Sequence, residues 1–367
     1  MTVTLDSPKA IHAQLGRDVV DQAVALEQIS VALYKHLQHI KVGNIMLIGN
    51  SGTGKTTIMR SIERLFSEHG AAIGHQNTIR LNANIVSNDE STDLESSVIL
   101  ARLAQNAHKL MGSSPNVDQF RDLIENAVVF LDEVDKIRAY VGDKPNPRGI
   151  LAQESLLTLI EGEGVSLPLS VRNEQGGFDQ HKVPIDTGRI LFICGGAFEG
   201  LYDMVYRRVA GGETRDKLIQ EYVVTESQED MEQKIHFSLN DYVRYEDMFE
   251  YGMTPQFLGR FDEVIVLNDL TIKGLMRIFV DPPNSLFREA RRYFASLGIE
   301  LQASKEAVQR IAEHAYDNHR LGARALRMVF KRIMRGIEFD PHDHYLVKQA
   351  GEKKVLLLTR DLVDRYF

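Results

Sequence analysis

The sequence is poor in the features on which several classes of protein depend. It contains one cysteine, Cys194, which excludes a disulfide framework within the chain and a cysteine-rich zinc module. No apolar run approaches the roughly 20 residues that a helix needs to span a bilayer. The first residues (MTVTLD) lack the basic and apolar regions of a secretory signal. These absences predict a cytoplasmic protein in a reducing compartment, with no membrane partner.

The chain also lacks a surplus of basic residues. It has 43 Lys and Arg against 51 Asp and Glu, which gives a formal net charge of −8. Because binding to phosphate backbones depends on Lys and Arg, an acidic chain has no general attraction for nucleic acid. Nucleic acid is therefore not an expected partner, although the net negative charge is compatible with a local basic channel.

The 367 residues are enough for two domains, and the composition is that of an ordinary globular protein. Short apolar runs separated by helical patterns are typical of a parallel sheet flanked by helices. These runs lie at 44–48, 78–82, 127–131 and 189–193. After about Val264 the pattern becomes mostly helical, with short strands at 299–302 and 355–358. We expect an α/β nucleotide-binding domain over 1–265 and a smaller, mostly helical α+β domain over 266–367.

A complete phosphate-binding motif follows the first apolar run. Gly49–Thr56 (GNSGTGKT) matches G-x-x-x-x-G-K-[ST] in full and stands between a predicted strand and a predicted helix. Glycines let the backbone N–H groups wrap a phosphate, and the helix start adds its positive end. The predicted nucleotide-binding residues of this P-loop are Gly49, Asn50, Ser51, Gly52, Thr53, Gly54, Lys55, Thr56 and Thr57. Lys55 would reach the β- and γ-phosphates, and the Thr56 hydroxyl would hold Mg²⁺.

The third apolar run ends in two carboxylates, Asp132 and Glu133. Alone, an acidic pair after a strand is usually a solvated turn. After a P-loop, Asp132 is expected to orient the Mg²⁺ water shell and Glu133 to polarise the attacking water. The sequence contains no Asn/Thr-Lys-x-Asp string of the kind that reads guanine, so ATP is the expected nucleotide. These motifs predict an ATPase with ATP and Mg²⁺ as cofactors.

Several longer strings resemble the ClpX/HslU branch of the AAA+ unfoldases, and the ClpX family most of all. The resemblance extends from about Ser7 to the C-terminus. The strings that carry it are Leu131–Ile137 (LDEVDKI), Leu156–Gly162 (LLTLIEG), Ile190–Phe198 (ILFICGGAF), Thr254–Phe261 (TPQFLGRF) and Gly322–Arg327 (GARALR). The resemblance implies a P-loop AAA+ fold and a homo-oligomeric ring, with a hexamer as the expected size.

The resemblance also assigns roles to residues outside the P-loop. Val19 and Val20 match the apolar pair that packs on adenine. Arg260 matches the arginine finger, which enters the neighbouring subunit's site and offsets charge on the γ-phosphate. Arg324 matches the sensor 2 arginine of the small domain. The sensor 1 position falls near Cys194, where no strong polar group stands, so we assign no residue to it.

Three features of the family pattern are missing. The sequence has no N-terminal zinc-binding cysteines, and between Phe198 and Thr254 it has no aliphatic-Gly-Phe tripeptide for docking a peptidase. The expected first pore loop, 84–93 (NIVSNDESTD), contains no aromatic residue. The second pore loop, near 175–179, offers Phe178. The string Tyr140-Val-Gly142 has the letters of a pore loop at another position, and we interpret it as a coincidence.

These features favour an ATP-driven remodeller that unfolds or disassembles proteins or protein complexes. A ClpP-type peptidase is not an expected partner. The alternatives are a protease-coupled processive unfoldase, an AAA+ nucleic-acid motor or loader, and a nucleotide-gated scaffold. A scaffold would need neither Glu133 nor Arg260. The absence of a basic segment with interleaved aromatics disfavours the nucleic-acid motor.

Overall fold

The computed structural model describes residues 5–69, 77–87, 97–112, 116–162, 164–172, 178–211, 219–224, 231–236, 239–318, 321–351 and 353–367. The chain forms two compact units, of which the first comprises 1–34, 49–65 and 267–367. The second comprises 35–48 and 66–266. The proposed division between 1–265 and 266–367 stays a prediction.

The elements are numbered in chain order. The helices are α1 (Pro8–Leu15), α2 (Ala23–Leu37), α3 (Lys55–His69), α4 (Asn84–Ser87), α5 (Val98–Met111), α6 (Val117–Glu125), α7 (Pro147–Glu161), α8 (Leu201–Gly211), α9 (Leu239–Tyr242), α10 (Tyr245–Tyr251), α11 (Pro255–Leu258), α12 (Ile272–Val280), α13 (Leu286–Ser296), α14 (Lys305–Tyr316), α15 (Ala323–Phe339) and α16 (Arg360–Asp364). The strands are β1 (Asn44–Ile48), β2 (Thr78–Asn82), β3 (Val128–Asp132), β4 (Tyr140–Val141), β5 (Lys144–Pro145), β6 (Gly164–Arg172), β7 (Phe178–Asp186), β8 (Leu191–Gly196), β9 (Ile219–Val224), β10 (Met231–His236), β11 (Phe261–Val266), β12 (Ile299–Ala303), β13 (Val347–Ala350) and β14 (Lys353–Leu358).

The second unit is built on a five-stranded parallel sheet in the order β11-β1-β8-β3-β2. Every residue of β1 and β8 is buried, as are the first four residues of β3. Continuous burial is expected of parallel strands that are covered on both faces, which explains why these strands are unbroken apolar runs. The predicted parallel α/β sheet is confirmed.

Other strands of this unit were not predicted. β11 pairs with β1 with one irregularity at Asp262, and its first residues (FDEV) mix charged and apolar side chains. β6 and β7 form an antiparallel hairpin. Much of β7 lies in the polar stretch 173–188, for which no strand was predicted. Cross-strand hydrogen bonds between backbone groups stabilise such a hairpin without a run of apolar residues.

The first unit contains a three-stranded sheet in the order β12-β14-β13, with β14 parallel to β12 and antiparallel to β13. Its core is formed by apolar side chains of the surrounding helices, among them Phe279, Phe294, Ile311, Leu326 and Ile333. At the N-terminal side, α1 is capped by Gly16, and α2 begins at Ala23. Across the described ranges, no helix combines the length and the apolar character that crossing a bilayer requires.

Candidate active site

The P-loop follows β1 directly in the chain and ends where α3 begins at Lys55. Its turn is closed on the Asn50 carbonyl oxygen, which accepts hydrogen bonds from Thr53 N at 3.3 Å and from Thr53 Oγ1 at 2.9 Å. Gly52 and Gly54 have φ of +83° and +117°, a region that favours glycine. A Cβ atom at Gly54 would meet no atom within 4 Å, so the loop leaves open space there. This backbone fits a phosphate cradle.

Lys55 is held inside this loop. Its side chain is buried, and Nζ donates hydrogen bonds to the carbonyl oxygens of Gly49 and, at 3.0 Å, of Asn50. These neutral acceptors keep the ammonium group at the start of α3, where the helix dipole also favours an anion. A phosphate arriving at the loop would therefore find a positive charge already in position.

The side chain of Gln22 stabilises the P-loop through hydrogen bonds, and this role was not predicted. This residue is 1 % exposed, and its Nε2 donates to the carbonyl oxygens of Thr53 at 3.1 Å and Asn268 at 2.8 Å. Its Oε1 accepts from Asn268 N at 3.0 Å. Asn50 Nδ2 adds a hydrogen bond to Asp269 Oδ1 at 2.9 Å. The signal in the sequence is a polar residue just after the apolar pair, but one of its partners, Thr53, lies 31 positions away and the other, Asn268, lies 246 positions away.

The predicted adenine-packing pair lies in the same unit as the P-loop. Val19 and Val20 are each 5 % exposed. Asp18, the preceding residue, accepts a hydrogen bond from Ser61 Oγ at 2.8 Å and forms an ion pair with Arg64. Because Ser61 and Arg64 belong to α3, the helix that starts at the P-loop also fixes the segment that carries the two valines.

The predicted sensor 2 residue is on the second position of α15, whose start contacts the P-loop. Ala323 N donates to the Gly52 carbonyl oxygen at 3.3 Å, and a Cβ atom on Gly322 would lie 2.7 Å from the Ser51 carbonyl oxygen. Arg324 is exposed beside this contact. Among the described residues, the structure records no hydrogen bond or ion pair for its guanidinium group. Arg324 therefore lies beside the P-loop, and its positive charge is available to a ligand.

The two acidic residues have different surroundings at the end of β3. Asp132 Oδ1 accepts from Glu133 N at 2.9 Å, and Glu133 itself adopts the left-handed conformation, with φ of +61°. Its Oε2 accepts a hydrogen bond from Asn82 Nδ2 at 2.6 Å. A non-glycine residue at positive φ is uncommon and is held only by surrounding contacts. Asn82, which was not predicted, is one such contact.

The end of β8, which is the expected sensor 1 position, consists of small residues. Asp135 is 1 % exposed, and its Oδ1 accepts from Ala197 N at 3.1 Å. A Cβ atom on Gly196 would lie 2.8 Å from that oxygen, so glycine is required for the close approach. Burial raises the pKa of the Cys194 thiol, which keeps it protonated. Cys194 is thus an inert part of the core.

Arg260 lies at the amino end of the parallel strands, whereas the acidic pair lies at their carboxyl end. It immediately precedes β11, and its carbonyl oxygen accepts from Asn44 Nδ2 at 3.1 Å, at the start of β1. Asp132 is the last residue of β3, and all these strands are parallel. A strand of five residues is roughly 16 Å long, which is the separation along the strand direction between the two ends of these strands. The half-exposed Arg260 guanidinium forms an ion pair with Glu161 at the end of α7.

The predicted residues thus fall into two groups. The first unit brings together the P-loop residues through Thr57, Val19, Val20 and Arg324. The second unit carries Asp132 and Glu133 at the carboxyl end of the parallel strands and Arg260 at their amino end. The polar partners that sequence reasoning missed are the buried Gln22, the half-buried Asn82 and the exposed Glu161.

Comparison with known proteins identifies the family of the chain. Residues 40–264 match the family described as AAA domain (Cdc48 subfamily). The chain is 30% identical over 354 residues to the ATP-dependent Clp protease ATP-binding subunit ClpX of Bacteroides thetaiotaomicron, covering 92% of this chain and 77% of the relative. It is 29% identical over 380 residues to the ClpX protein of Porphyromonas gingivalis, covering 99% and 82%. The chain therefore belongs to the AAA+ family of ATPases, as a ClpX-like member.

Proposed function

We propose that this protein hydrolyses ATP at sites shared between neighbouring subunits of a ring, and that it uses the energy to remodel, unfold or disassemble proteins or protein complexes. The observation that carries the shared site is the position of Arg260. It lies at the amino end of the parallel strands, whereas Asp132 and Glu133 lie at their carboxyl end, and its guanidinium group forms an ion pair with Glu161. In a homo-oligomeric ring, which we propose to be a hexamer, it would serve the neighbour.

The residues have separate roles in this proposal. The P-loop N–H groups and Lys55 bind the phosphates, and Arg324 contacts the nucleotide from the start of α15. Val19 and Val20 pack on the base. Thr56 and Asp132 would hold Mg²⁺, which neutralises charge on the phosphates when bound. Glu133 orients the attacking water as a general base, and Arg260 of the neighbouring subunit offsets the charge that develops in the transition state.

We further propose that the target is a dedicated protein partner and that a ClpP-type peptidase is not required. The segment between Phe198 and Thr254 has no aliphatic-Gly-Phe tripeptide, and the 84–93 stretch has no aromatic side chain to grip a threaded chain. In that stretch the structure describes 84–87, where Ile85 is exposed on α4. The positions 88–93 and the 175–177 part of the second pore loop lie outside the described residues.

One observation favours a second function, a processive unfoldase that feeds a peptidase. The relatives are named as ATP-binding subunits of a Clp protease. If this chain also serves a Clp protease, it must dock on the peptidase through a surface other than the aliphatic-Gly-Phe tripeptide of the family.

A pulldown distinguishes the two functions. The Glu133→Gln variant would be incubated with ATP and a cell extract, and bound proteins would be identified by mass spectrometry, with Lys55→Ala as the matched control. We expect one or a few partners that bind only when ATP is bound. A co-purifying peptidase, or a broad range of unrelated proteins, would contradict the dedicated remodeller and favour the unfoldase.

A further inference from the structure

Gln153 forms hydrogen bonds with two distant segments of the second unit. It lies on α7 and is 1 % exposed. Its Nε2 donates to the carbonyl oxygens of Ile137 at 2.8 Å and Gly252 at 3.4 Å. Its Oε1 accepts from Thr254 N and Thr254 Oγ1, both at 2.9 Å. The side-chain amide therefore uses both of its N–H donors and both of its lone pairs.

The two segments flank opposite ends of the parallel strands, the carboxyl end of β3 and the amino end of β11. Ile137 ends the 3-10 turn of Val134–Lys136, which begins right after Glu133. Thr254 caps α11, the one-turn helix that is followed by Gly259 and Arg260. The Gln153 amide is thus joined on one side to the backbone after the acidic pair and on the other side to the backbone before Arg260.

The segment between Thr254 and Arg260 is short and tightly packed. Thr254 Oγ1 accepts from Phe257 N at 3.4 Å, and the buried rings of Phe257 and Phe261 pack edge to face with centroids 5.1 Å apart. Movement at Thr254 would therefore be passed to Arg260 rather than absorbed between them. Glu161, eight residues after Gln153 and roughly 12 Å further along α7, holds the Arg260 guanidinium.

We infer that Gln153 is a positioning residue for Arg260, and that it holds the arginine segment in register with the backbone that follows Glu133 in the same subunit. This inference rests on the proposed function, in which Arg260 completes the neighbour's site. Removing the amide would leave buried backbone groups at Ile137 and Thr254 without a partner, so the segment would shift to find new ones. Catalysis is sensitive to such shifts, since a displacement of about 1 Å can lower a rate by roughly 100-fold.

The test uses Gln153→Met, which keeps the length of the side chain and removes its hydrogen bonds. We expect ATP to bind within about twofold of the unmodified protein, while kcat falls by roughly 10- to 100-fold. Mixing with Lys55→Ala subunits should restore activity, because the Lys55→Ala subunits supply a correctly placed Arg260 to the intact P-loop of the Gln153→Met subunits. Arg260→Ala mixed with Lys55→Ala provides the reference for this recovery.

The matched control is Asn77→Leu. Asn77 is also 1 % exposed, and its side chain contacts α5 rather than the Arg260 segment. A loss of kcat in this variant should not recover on mixing with Lys55→Ala. If Gln153→Met fails to fold, Thr254→Val removes one of the two Thr254 donors and should give a smaller loss of kcat with the same recovery.

Every outcome of these mixing experiments either supports or overturns the positioning role of Gln153. Recovery for Arg260→Ala without recovery for Gln153→Met would overturn it and leave the shared site intact. Recovery for Asn77→Leu as well would overturn it, because the effect would then be general to destabilised subunits. If Arg260→Ala itself does not recover, the inference and the shared site both fail.

Discussion

Asn82 and Glu133 are joined by a hydrogen bond of 2.6 Å from Asn82 Nδ2 to Glu133 Oε2, across the ends of two neighbouring strands. Asn82 ends β2 and is paired in register with Asp132, the residue before Glu133. The amide thus orients the carboxylate that we propose as the general base. The pairing also depends on β2 lying beside β3, which brings together residues about 50 positions apart in the chain.

Asn82→Ala should lower kcat by roughly tenfold without weakening the binding of ATP, because the Glu133 carboxylate would lose the donor that aims it. Steady-state phosphate release and binding of a fluorescent nucleotide would measure the two quantities. The neighbouring exposed Asn84 provides the matched control, since Asn84→Ala leaves the Asn82–Glu133 hydrogen bond in place. An unchanged kcat in Asn82→Ala would contradict the orienting role.

Lys55→Ala and Glu133→Gln should separate binding from chemistry. Lys55→Ala removes the buried charge of the P-loop, so nucleotide affinity and turnover should both be lost. Glu133→Gln keeps the shape of the side chain and removes its basicity, so ATP should bind while turnover falls by at least roughly 100-fold. Equilibrium nucleotide binding and phosphate release would be measured on both variants. Normal turnover in Lys55→Ala would exclude the P-loop as the site of hydrolysis.

Gly52→Ala should destabilise the protein even without nucleotide. The backbone at Gly52 has φ of +83°, and a Cβ atom there would collide with the carbonyl oxygen of Leu321. Left-handed strain of roughly 1–3 kcal/mol would lower the Tm of the protein by about 2–10 °C. Gly211→Ala is the control, since a Cβ atom at that position meets nothing within 4 Å. Equal Tm values for the two variants would contradict the close approach of α15 to the P-loop.

The buried Cys194 should resist thiol reagents in the folded protein. Because burial raises its pKa above the ordinary value of 9.0, the thiol stays protonated at pH 8 and is also shielded. The folded state keeps this proton above pH 9, where the unfolded state releases it, so the group lowers stability as the pH rises through that value. Alkylation at pH 8, followed by mass spectrometry, should proceed only after denaturant is added. Rapid labelling of the folded protein would show that the end of β8 is accessible.

The sequence was sufficient to predict the strands that carry the proposed P-loop and acidic pair, whose roles stay predictions. The P-loop and the acidic pair each lie at the end of an apolar run, and β1 and β3 form where those runs predict them. Val19, Val20, Arg260 and Arg324 were proposed from resemblance, and their roles stay predictions.

The supporting contacts could not be predicted, for a physical reason. Gln22, Asn82 and Gln153 act through partners that the tertiary fold brings together, and a polar residue in a helix or at the end of a strand gives no sign of its partner. β11 was missed because its charged first residues conceal a strand whose hydrogen bonds go to β1. The parallel direction of β11 and β3, which is known only from the fold, places Arg260 and the acidic pair at opposite ends of the strands.

The shared site is tested most directly by mixing two inactive variants. Arg260→Ala should bind ATP with unchanged affinity and lose at least roughly 100-fold in kcat, because the guanidinium that offsets charge on the γ-phosphate would be missing. Lys55→Ala should be inactive for lack of nucleotide. When the two are mixed in equal amounts and allowed to exchange subunits, intact P-loops should meet intact arginines, and phosphate release should rise well above the sum of the separate variants. If the mixture stays as inactive as its components while mixed rings are shown to form, Arg260 does not act on a neighbouring subunit and the proposed shared site is wrong.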